Sequence, residues 1–361
     1  MSSTLKFGSF SMTIFGESHG NAIGVTIDGL PSGFAVDFDA VNAFMARRAP
    51  RKDGTSTFRN EKDAFEILSG ITDSKTNGAP LCAVIKNTDQ HSADYKSVSY
   101  LARPGHADYT GSVRYNYSND LRGGGHFSGR LTAPLVFVGA ICGQLLEAEK
   151  IYSGAHIASI MNEADKRFDP VNVTKAELDS VKSSYLPLID KEKDAKMREI
   201  ILEASKNLDS VGGTIECAII GVPTGVGSPI FDGIENRISQ IVFGIPAIKG
   251  IEFGVGFEVA KLHGSENNDE FFIENEEIKT RTNNCGGILG GISDSMPIIF
   301  RVAVKPTPSI AKAQKTVDYK SVTEETLEIK GRHDPCIVPR AVPCVEAAAN
   351  IAIYTLLKES L

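Results

Sequence analysis

The segment of residues 103–140 limits most strongly how this chain of 361 residues can fold. It contains three consecutive glycines, residues 123–125, and an apolar run that begins at Leu131. A glycine triplet allows a sharp turn and a close approach of the backbone to a ligand. Residues 132–149 are rich in Ala, Leu and Val and predict a buried helix. A Gly-rich loop that leads into a helix gathers unpaired N–H groups where an anion can bind.

The side chains around this triplet point to the same chemistry. Guanidinium groups bind phosphate and carboxylate through paired hydrogen bonds. Histidine is the usual proton carrier near neutral pH. A lone triplet among solvated charges would be an ordinary turn, but here we predict a site for an anionic ligand. The residues concerned are Arg103, His106, Arg114, Arg122, His126 and Arg130.

Charge and cysteine usage exclude several classes of protein. The net charge is −7, and no basic tail or basic stripe is present, which argues against nucleic acid as a partner. The six cysteines form no C-x-x-C pair, so we expect reduced, packed thiols and no metal site. The apolar stretches are too interrupted to predict a membrane span, and no signal peptide is recognisable at the N-terminus. We therefore expect a cytoplasmic protein without a membrane partner.

The pattern along the chain predicts a mixed α/β protein of one or two domains. Strands at residues 11–15 and 22–28 flank the loop GESHG, and a helix capped by Asp37 or Asp39 follows. Residues 160–210 are rich in Lys, Glu, Asp and Ser and predict a peripheral helical insertion. The chain ends in a predicted amphipathic helix.

Two common nucleotide-binding motifs are missing. The GVG at residues 254–256 fails the G-x-G-x-x-G spacing at Val259, and no helix is expected after it. No G-x-x-x-x-G-K-[ST] sequence occurs. Both a Rossmann domain and a P-loop are therefore excluded.

Further polar loops extend the predicted anion site. A second Gly-dense loop covers residues 283–295, KPTPS covers residues 305–309, and RHDP begins at Arg332. No H-E-x-x-H motif, acidic metal cluster or Ser-His-Asp signature is present, which leaves acid–base and electrostatic chemistry. Two classes stay open: an enzyme acting on a phosphorylated, carboxylated small molecule, and a phosphate-binding or regulatory module. His106→Ala distinguishes them, because a binding module would keep most of its function.

Several long motifs, in order from about residue 14 to 348, resemble the chorismate synthase family. Three signatures carry most of the resemblance, and shorter motifs support it. The signatures are GESHGNAIGVTIDGLP, RGGGHFSGRLTAPLVFVGA and GRHDPCIVPRAVPCVEAA, and the shorter motifs are RPGHADYT, AIKGIEFG, GGILGGIS and KPTPS.

The resemblance implies a carbon–oxygen lyase of the shikimate pathway, the route to the aromatic amino acids. The reaction would be the anti 1,4-elimination of phosphate from 5-enolpyruvylshikimate 3-phosphate, giving chorismate and requiring reduced FMN without net redox change. The implied fold is a single α+β domain over residues 1–361, a β-α-β sandwich with internal pseudo-symmetry around a helical layer. A cytoplasmic homotetramer is implied as well. A flavin- or phosphate-binding protein without lyase activity and a different phosphate-eliminating enzyme stay as alternatives.

The resemblance also assigns site residues by motif position. The catalytic residues would be His19, His106 and Asp334. Substrate anions would be bound by Arg48, Arg103, Ser128, Arg130 and Arg332. FMN would be bound by His126, Phe127, Ser128, Ala247, Gly290, Lys305, Pro306, Thr307, Pro308, Ser309 and Arg332, with Arg48 also at the position of the NADPH contact.

The chain departs from the family pattern at two places. Many members read RSSAR where this chain has His126, Phe127, Ser128, Gly129 and Arg130. An arginine that many members carry for NADPH is replaced by Gly54. NADPH is therefore a possible reductant only, and a separate flavin reductase is a possible partner.

Overall fold

The structure is a computed structural model that describes residues 3–51, 53–56, 63–87, 100–329 and 333–360. The chain divides into two compact units. The first comprises Met1–Leu135, Arg198–Gly212 and Pro306–Ile337, and the second comprises Val136–Met197, Gly213–Lys305 and Val338–Leu361. The single domain implied by the family resemblance stays a prediction.

The described residues form both helices and antiparallel strands, so the chain is a mixed α+β protein. The helices are α1 (Phe38–Ala46), α2 (Asp108–Arg114), α3 (Thr132–Ala148), α4 (Lys175–Lys182), α5 (Asp194–Lys206), α6 (Ile234–Val242), α7 (Gly264–Asn267) and α8 (Val338–Ser360). The strands are β1 (Thr4–Phe7), β2 (Phe10–Gly16), β3 (Ala22–Asp28), β4 (Phe65–Ser69), β5 (Ile71–Thr72), β6 (Lys75–Thr76), β7 (Leu81–Lys86), β8 (Tyr152–Ile160), β9 (Glu163–Ala164), β10 (Gly213–Ile220), β11 (Ile248–Phe253), β12 (Phe271–Glu274), β13 (Glu277–Thr280), β14 (Ile288–Leu289), β15 (Ile292–Ser293), β16 (Ile298–Val304), β17 (Gln314–Asp318) and β18 (Thr323–Leu327).

The first unit contains an antiparallel sheet in the order β1-β2-β3-β7-β4. On β3, Ile23, Val25 and Ile27 alternate along the strand and are buried, as expected for the core face of a sheet. The strands predicted around the GESHG loop are confirmed as β2 and β3. The loop therefore lies at the end of a β-hairpin in the middle of this sheet.

The second unit contains an antiparallel sheet in the order β11-β16-β10-β8-β9. Helix α8 packs against β8 and β10, α4 packs against β8, and α6 packs against α8. Residues 160–210, predicted to be a peripheral helical insertion, contain β9, α4 and α5. That they form an insertion stays a prediction.

A row of charged side chains crosses the second sheet. Strand pairing places His156, Glu216, Arg301 and Glu252 side by side on β8, β10, β16 and β11. His156 is fully buried, and its two ring nitrogens lie 3.1 Å from Asp165 Oδ2 and 3.1 Å from Glu216 Oε2. Burial alone would lower the pKa of His156, but the hydrogen bonds and charges of these two carboxylates raise it.

The two longest helices are core helices. In the described residues, Gly129–Ala148 and Val338–Ser360 are long and apolar enough to cross a membrane, contrary to the sequence-based expectation. Of their most apolar windows, 78% and 94% are buried inside the protein, and core helices of soluble proteins pass the same test. The final helix was predicted to be amphipathic, and this prediction was wrong: α8 is buried on all its faces from Val338 to Leu357 apart from a half-buried Arg340.

Candidate active site

The glycine triplet of the first unit packs against His19. His19 lies in the turn between β2 and β3 and is only 4% exposed. A Cβ atom added to Gly123 would lie 2.0 Å from His19 Cε1, so the imidazole occupies the space that any other residue would need. The N–H of Ser18 donates to the carbonyl of Gly125 at 3.1 Å, which fixes the two loops to each other.

The triplet does not lead directly into the long helix. All three glycines have positive φ, and they form an irregular turn within Arg122–Phe127. A short 3₁₀ turn, Gly129–Leu131, follows, and Ser128 caps it by accepting from the N–H of Arg130 at 3.2 Å. Helix α3 then begins at Thr132, as the sequence predicted.

His126 and Phe127, the departures from the family pattern, make contacts within the chain. The Nδ1–H of His126 donates to the carbonyl of Gly16 at 2.7 Å, and in the neutral imidazole Nε2 accepts from the hydroxyl of Ser3 at 2.6 Å. Phe127 packs beside Gly111 of α2, where an added Cβ would lie 2.7 Å from the Phe127 ring. His126 therefore anchors the end of β2, and the predicted flavin contacts of both residues stay predictions.

Two buried arginines share one carboxylate. Arg48, just beyond α1, donates through Nε to Asp63 Oδ2 at 3.0 Å and also pairs through Nη2. Arg130 pairs through Nη1 with Asp63 Oδ1 and donates through Nε to Asn87 Oδ1 at 3.2 Å. Burial alone would raise the pKa of Asp63, but the two guanidinium charges lower it. Two buried guanidinium groups thus lie at one carboxylate, and guanidinium groups bind anions through paired hydrogen bonds.

Arg103 forms a separate ion pair, with the carboxylate of Asp108. Its Nε and Nη2 donate to the two oxygens of Asp108, each at 2.7 Å, and its backbone N–H donates to Asp108 Oδ2 at 3.0 Å. Asp108 is the first residue of α2, where a carboxylate is favoured by the helix dipole. This ion pair fixes the backbone just before His106.

His106 meets the KPTPS turn. Its Nδ1 lies 3.2 Å from the carbonyl of Pro104, which can only accept, so Nδ1 carries a proton. Its Nε2 lies 2.8 Å from Ser309 Oγ. In the neutral imidazole, Nε2 therefore accepts from the Ser309 hydroxyl. The RPGHADYT and KPTPS motifs, which are distant in the sequence, therefore meet at His106 Nε2, the nitrogen that would exchange a proton.

The remaining part of KPTPS contains an unsatisfied group. The hydroxyl of Thr307 is buried and makes no hydrogen bond to any residue that the structure describes. A buried polar atom without a partner is costly, and a hydrogen-bonding ligand would remove that cost. Asp334 is half-buried beside Pro335, and Arg332, a predicted ligand of both substrate and FMN, lies outside the described residues.

Three predicted cofactor residues belong to the second unit. The backbone N–H of Lys305 donates to the carbonyl of Ala247 at 2.9 Å, so these two residues are neighbours. Burial, together with the charge of Lys249, lowers the pKa of Lys305. Gly290 lies in the turn between β14 and β15 with φ of +63° and open space where a Cβ would be.

Sequence reasoning missed the residues that support these groups. Asp63 follows a polar segment to which no pattern gave a role, and its partner Arg130 is 67 residues away. Asp108 lies two residues after His106 in the RPGHADYT motif and five residues after Arg103. This closeness in sequence could have identified it as the partner of Arg103. In the described residues, no group of His, Cys, Asp and Glu could hold a metal ion.

Comparison with known proteins identifies the relatives of this chain. The family model described as chorismate synthase matches residues 10–357. A chorismate synthase from Dehalococcoides mccartyi is 45% identical over 350 residues, which cover 96% of this chain and 94% of that protein. One from Lachnoclostridium phytofermentans is 45% identical over 356 residues, covering 98% and 94%.

The likeness extends to a distant relative and to a solved structure. A chorismate synthase from Methanothermobacter thermautotrophicus is 41% identical over 346 residues, covering 95% of this chain and 91% of that protein. A crystal structure of chorismate synthase matches with a TM-score of 0.77 and 30% identity, covering 99% of this chain and 94% of that one.

Proposed function

This chain belongs to the chorismate synthase family, and on that premise we propose which of its residues carry the reaction. The reaction is the anti 1,4-elimination of phosphate from 5-enolpyruvylshikimate 3-phosphate to give chorismate, a carbon–oxygen lyase reaction (EC 4.2.3.5). It requires reduced FMN and involves no net redox change. The remaining questions are which side chains bind the anions, move the protons and hold the flavin.

Substrate binding is assigned to the arginine pair. The substrate is an anion with a phosphate and carboxylates, and guanidinium groups bind both. The observation that carries this assignment is that two buried guanidinium groups, those of Arg48 and Arg130, lie together at the carboxylate of Asp63. Arg103 and Arg332 are assigned to substrate as well, by motif position, and Ser128 joins them because it contacts Arg130.

The proton-moving roles are assigned to two histidines and one carboxylate. His106 holds a proton at Nδ1 and can take up or release a second one at Nε2, where it meets Ser309. His19 is held against Gly123 and is assigned the stabilisation of the departing phosphate. Asp334 is assigned a part in the proton relay beside the flavin, by its position in the RHDP motif.

The residues of the chain fit FMN as the cofactor. The buried, unsatisfied hydroxyl of Thr307 offers a hydrogen bond within KPTPS, and the positive φ values of the glycine triplet allow close approach of a ligand to the backbone. Pro306, Pro308 and Ser309 belong to the same turn, and Ala247, Gly290 and Lys305 are assigned to FMN by motif position. When bound, reduced FMN supplies transient electron density as the allylic phosphate leaves. NADPH, with a contact at Arg48, is retained as a possible reductant.

The first test is chorismate formation from 5-enolpyruvylshikimate 3-phosphate under anaerobic conditions, with FMN reduced by dithionite. Chorismate and phosphate are expected in equal amounts. His19→Ala, His106→Ala and Asp334→Asn should each lose activity, while the exposed His263 serves as the control for a histidine substitution. Full activity in folded His106→Ala would overturn the role of His106. The same assay in air, with NADPH and oxidised FMN, shows whether the protein reduces its own flavin or needs a separate reductase.

Family membership also supports a homotetramer, a cytoplasmic location and the β-α-β sandwich fold with pseudo-symmetry. Exposed apolar side chains on the hairpin of β12 and β13 support the proposed assembly. Phe271, Ile273 and Ile278 are 61%, 78% and 64% exposed. Ile273 and Ile278 pair directly across the hairpin, so these side chains form an apolar face. Light scattering should give four times the mass of the chain, and Ile273→Asp should lower that mass. A monomer for the unaltered protein would contradict this proposal.

A further inference from the structure

A short segment between α5 and β10, residues 208–211, joins two loops of the first unit. The hydroxyl of Ser210 donates to the carbonyl of Thr307 at 2.6 Å. The N–H of Val211 donates to the carbonyl of Pro335 at 2.9 Å. The first bond reaches the KPTPS turn and the second reaches the residue after Asp334. Residues 208–211 therefore contact both loops to which proton-moving groups are assigned.

The same segment holds the far side of the KPTPS turn. The N–H of Lys312 donates to the carbonyl of Leu208 at 3.2 Å, and Lys312 Nζ donates to Asp209 Oδ2 at 2.7 Å. The contacts of Thr307 and Lys312 thus lie on either side of Ser309 in the chain. The turn is fixed before and after the residue whose hydroxyl meets His106.

The contact of Ser210 with the Thr307 carbonyl lies two residues before Ser309. Only Pro308 separates Thr307 from Ser309, and the proline ring restricts φ to about −65°. A shift of the Thr307 carbonyl therefore has one rotatable backbone bond fewer in which to be absorbed before it reaches Ser309. The Ser309 hydroxyl lies 2.8 Å from His106 Nε2, a distance at which small displacements weaken a hydrogen bond.

We propose that Ser210 is a positioning residue for His106, acting through the Thr307 carbonyl and the Ser309 hydroxyl. This inference rests on the proposed function of His106. With the imidazole neutral, Ser309 donates to Nε2, and with the imidazole protonated, Nε2–H donates to Ser309 Oγ. Loss of the Ser210 bond lets the turn relax, so both arrangements lose their fixed geometry. The pH at which His106 changes its protonation state during turnover then shifts.

The test compares Ser210→Ala with Ser210→Thr in the anaerobic assay with reduced FMN, measured across pH. Alanine should lower kcat about 2- to 10-fold, the range for one ordinary hydrogen bond, and displace the pH profile of kcat. Threonine keeps the hydroxyl and should restore both the rate and the profile. Ser69→Ala is the matched control, because Ser69 also donates to a backbone carbonyl, that of Pro80 at 2.7 Å. Its profile should equal that of the unaltered protein.

A double variant separates positioning from general destabilisation. Ser309→Ala should displace the pH profile by itself, and adding Ser210→Ala should displace it no further. A further displacement in the double variant would overturn the inference. The inference would also be overturned if Ser210→Ala had the same pH profile as Ser69→Ala. If His106→Ala were inactive in that case, the role of His106 would stand. Activity and an unchanged profile in His106→Ala would instead overturn the proposed function of His106.

Discussion

At Gly123 the absence of a side chain decides where the His19 imidazole can lie. Gly123→Ala would place a methyl group 2.0 Å from His19 Cε1 and 2.2 Å from Nδ1, so the ring must move. We expect kcat to fall about 100-fold, because a displacement near 1 Å is enough to disrupt a catalytic geometry. The measurement is chorismate formation with reduced FMN.

Gly33→Ala is the control for this substitution. Gly33 also has a positive φ, +84°, but a Cβ atom added there would have nothing within 4 Å. It therefore reproduces the backbone strain without the collision. Equal activities of the two variants would show that strain, rather than contact with His19, accounts for the loss.

Asp63 pairs with two buried guanidinium groups, so its charge matters more for stability than its size. Asp63→Asn removes the negative charge with which both Arg48 and Arg130 pair. We expect the free energy of unfolding to fall by about 3–5 kcal/mol, as for other broken buried ion pairs. Added phosphate should restore part of it by binding the arginines.

Urea denaturation with and without phosphate measures both effects. The control is Glu66→Gln, which removes the exposed partner of Lys86 and should change little. Because the pKa of Asp63 is lowered from 3.8, its contribution is present above pH 3.8 and is lost as the pH falls through the lower native value. A stability of Asp63→Asn equal to that of the control would contradict the shared-carboxylate interpretation.

The contrast between His19 and Asp63 shows what a sequence can reveal about single residues. His19 lies between glycines in a loop bounded by two clear strands, so the pattern placed it at a strand end. Asp63 lies among other polar residues, and its pairing with Arg130 depends on contacts that form only in the folded chain. Local pattern therefore predicts groups next to glycines and strands, but not distant charge partners.

Among the elements, α3 and α8 approach each other unusually closely. A Cβ on Gly139 would lie 2.2 Å from Ala347 Cβ and 2.4 Å from its Cα. Gly139→Ala gains about 1 kcal/mol of helix propensity, but the collision involves backbone and cannot be relieved by a rotamer change. We expect a net loss of about 1–3 kcal/mol in the free energy of unfolding, measured by urea denaturation.

Gly143→Ala is the matched comparison on the same helix. Its Cβ would meet only the side-chain amide of Asn350, at 2.8 Å, and this side chain can shift at the cost of its hydrogen bonds, whereas backbone cannot. We expect this variant to be less destabilised than Gly139→Ala. The reverse order would show that the backbone contact with Ala347 does not limit the approach of the helices.

Helix α8 also shows where element prediction failed. Its helical character could be predicted, but its amphipathic assignment was wrong because buried polar side chains looked like a solvent face. Asn350 accepts from the hydroxyl of Ser153 at 2.6 Å and donates to the carbonyl of Gly139 at 3.1 Å. Thr355 accepts from Arg237 at 3.1 Å. Polar residues that find partners inside a core cannot be told from exposed ones by periodicity alone.

For the molecule as a whole, the α+β class and the order of the motifs could be predicted, since they follow from local pattern and family resemblance. The division into two compact units could not, because each unit is assembled from three separate pieces of chain. The segment around Ser210 illustrates this. Its polar sequence carries little information about function, yet it returns to the first unit and contacts the loops of both Ser309 and Asp334.

The stability of the whole protein should depend on pH through the buried His156. The groups that face it are Asp165, Glu216 and, beyond Glu216, Arg301. Because the pKa of His156 is raised above 6.5 in the folded chain, its stabilising contribution is fully present below pH 6.5 and is lost as the pH rises through the native value. The urea midpoint should therefore decrease on the alkaline side.

His156→Gln should be less stable at pH 6 and should lack this decrease, because glutamine does not titrate. His263→Gln is the control for an exposed histidine, and an equally steep decrease in His156→Gln would assign the pH dependence to other groups.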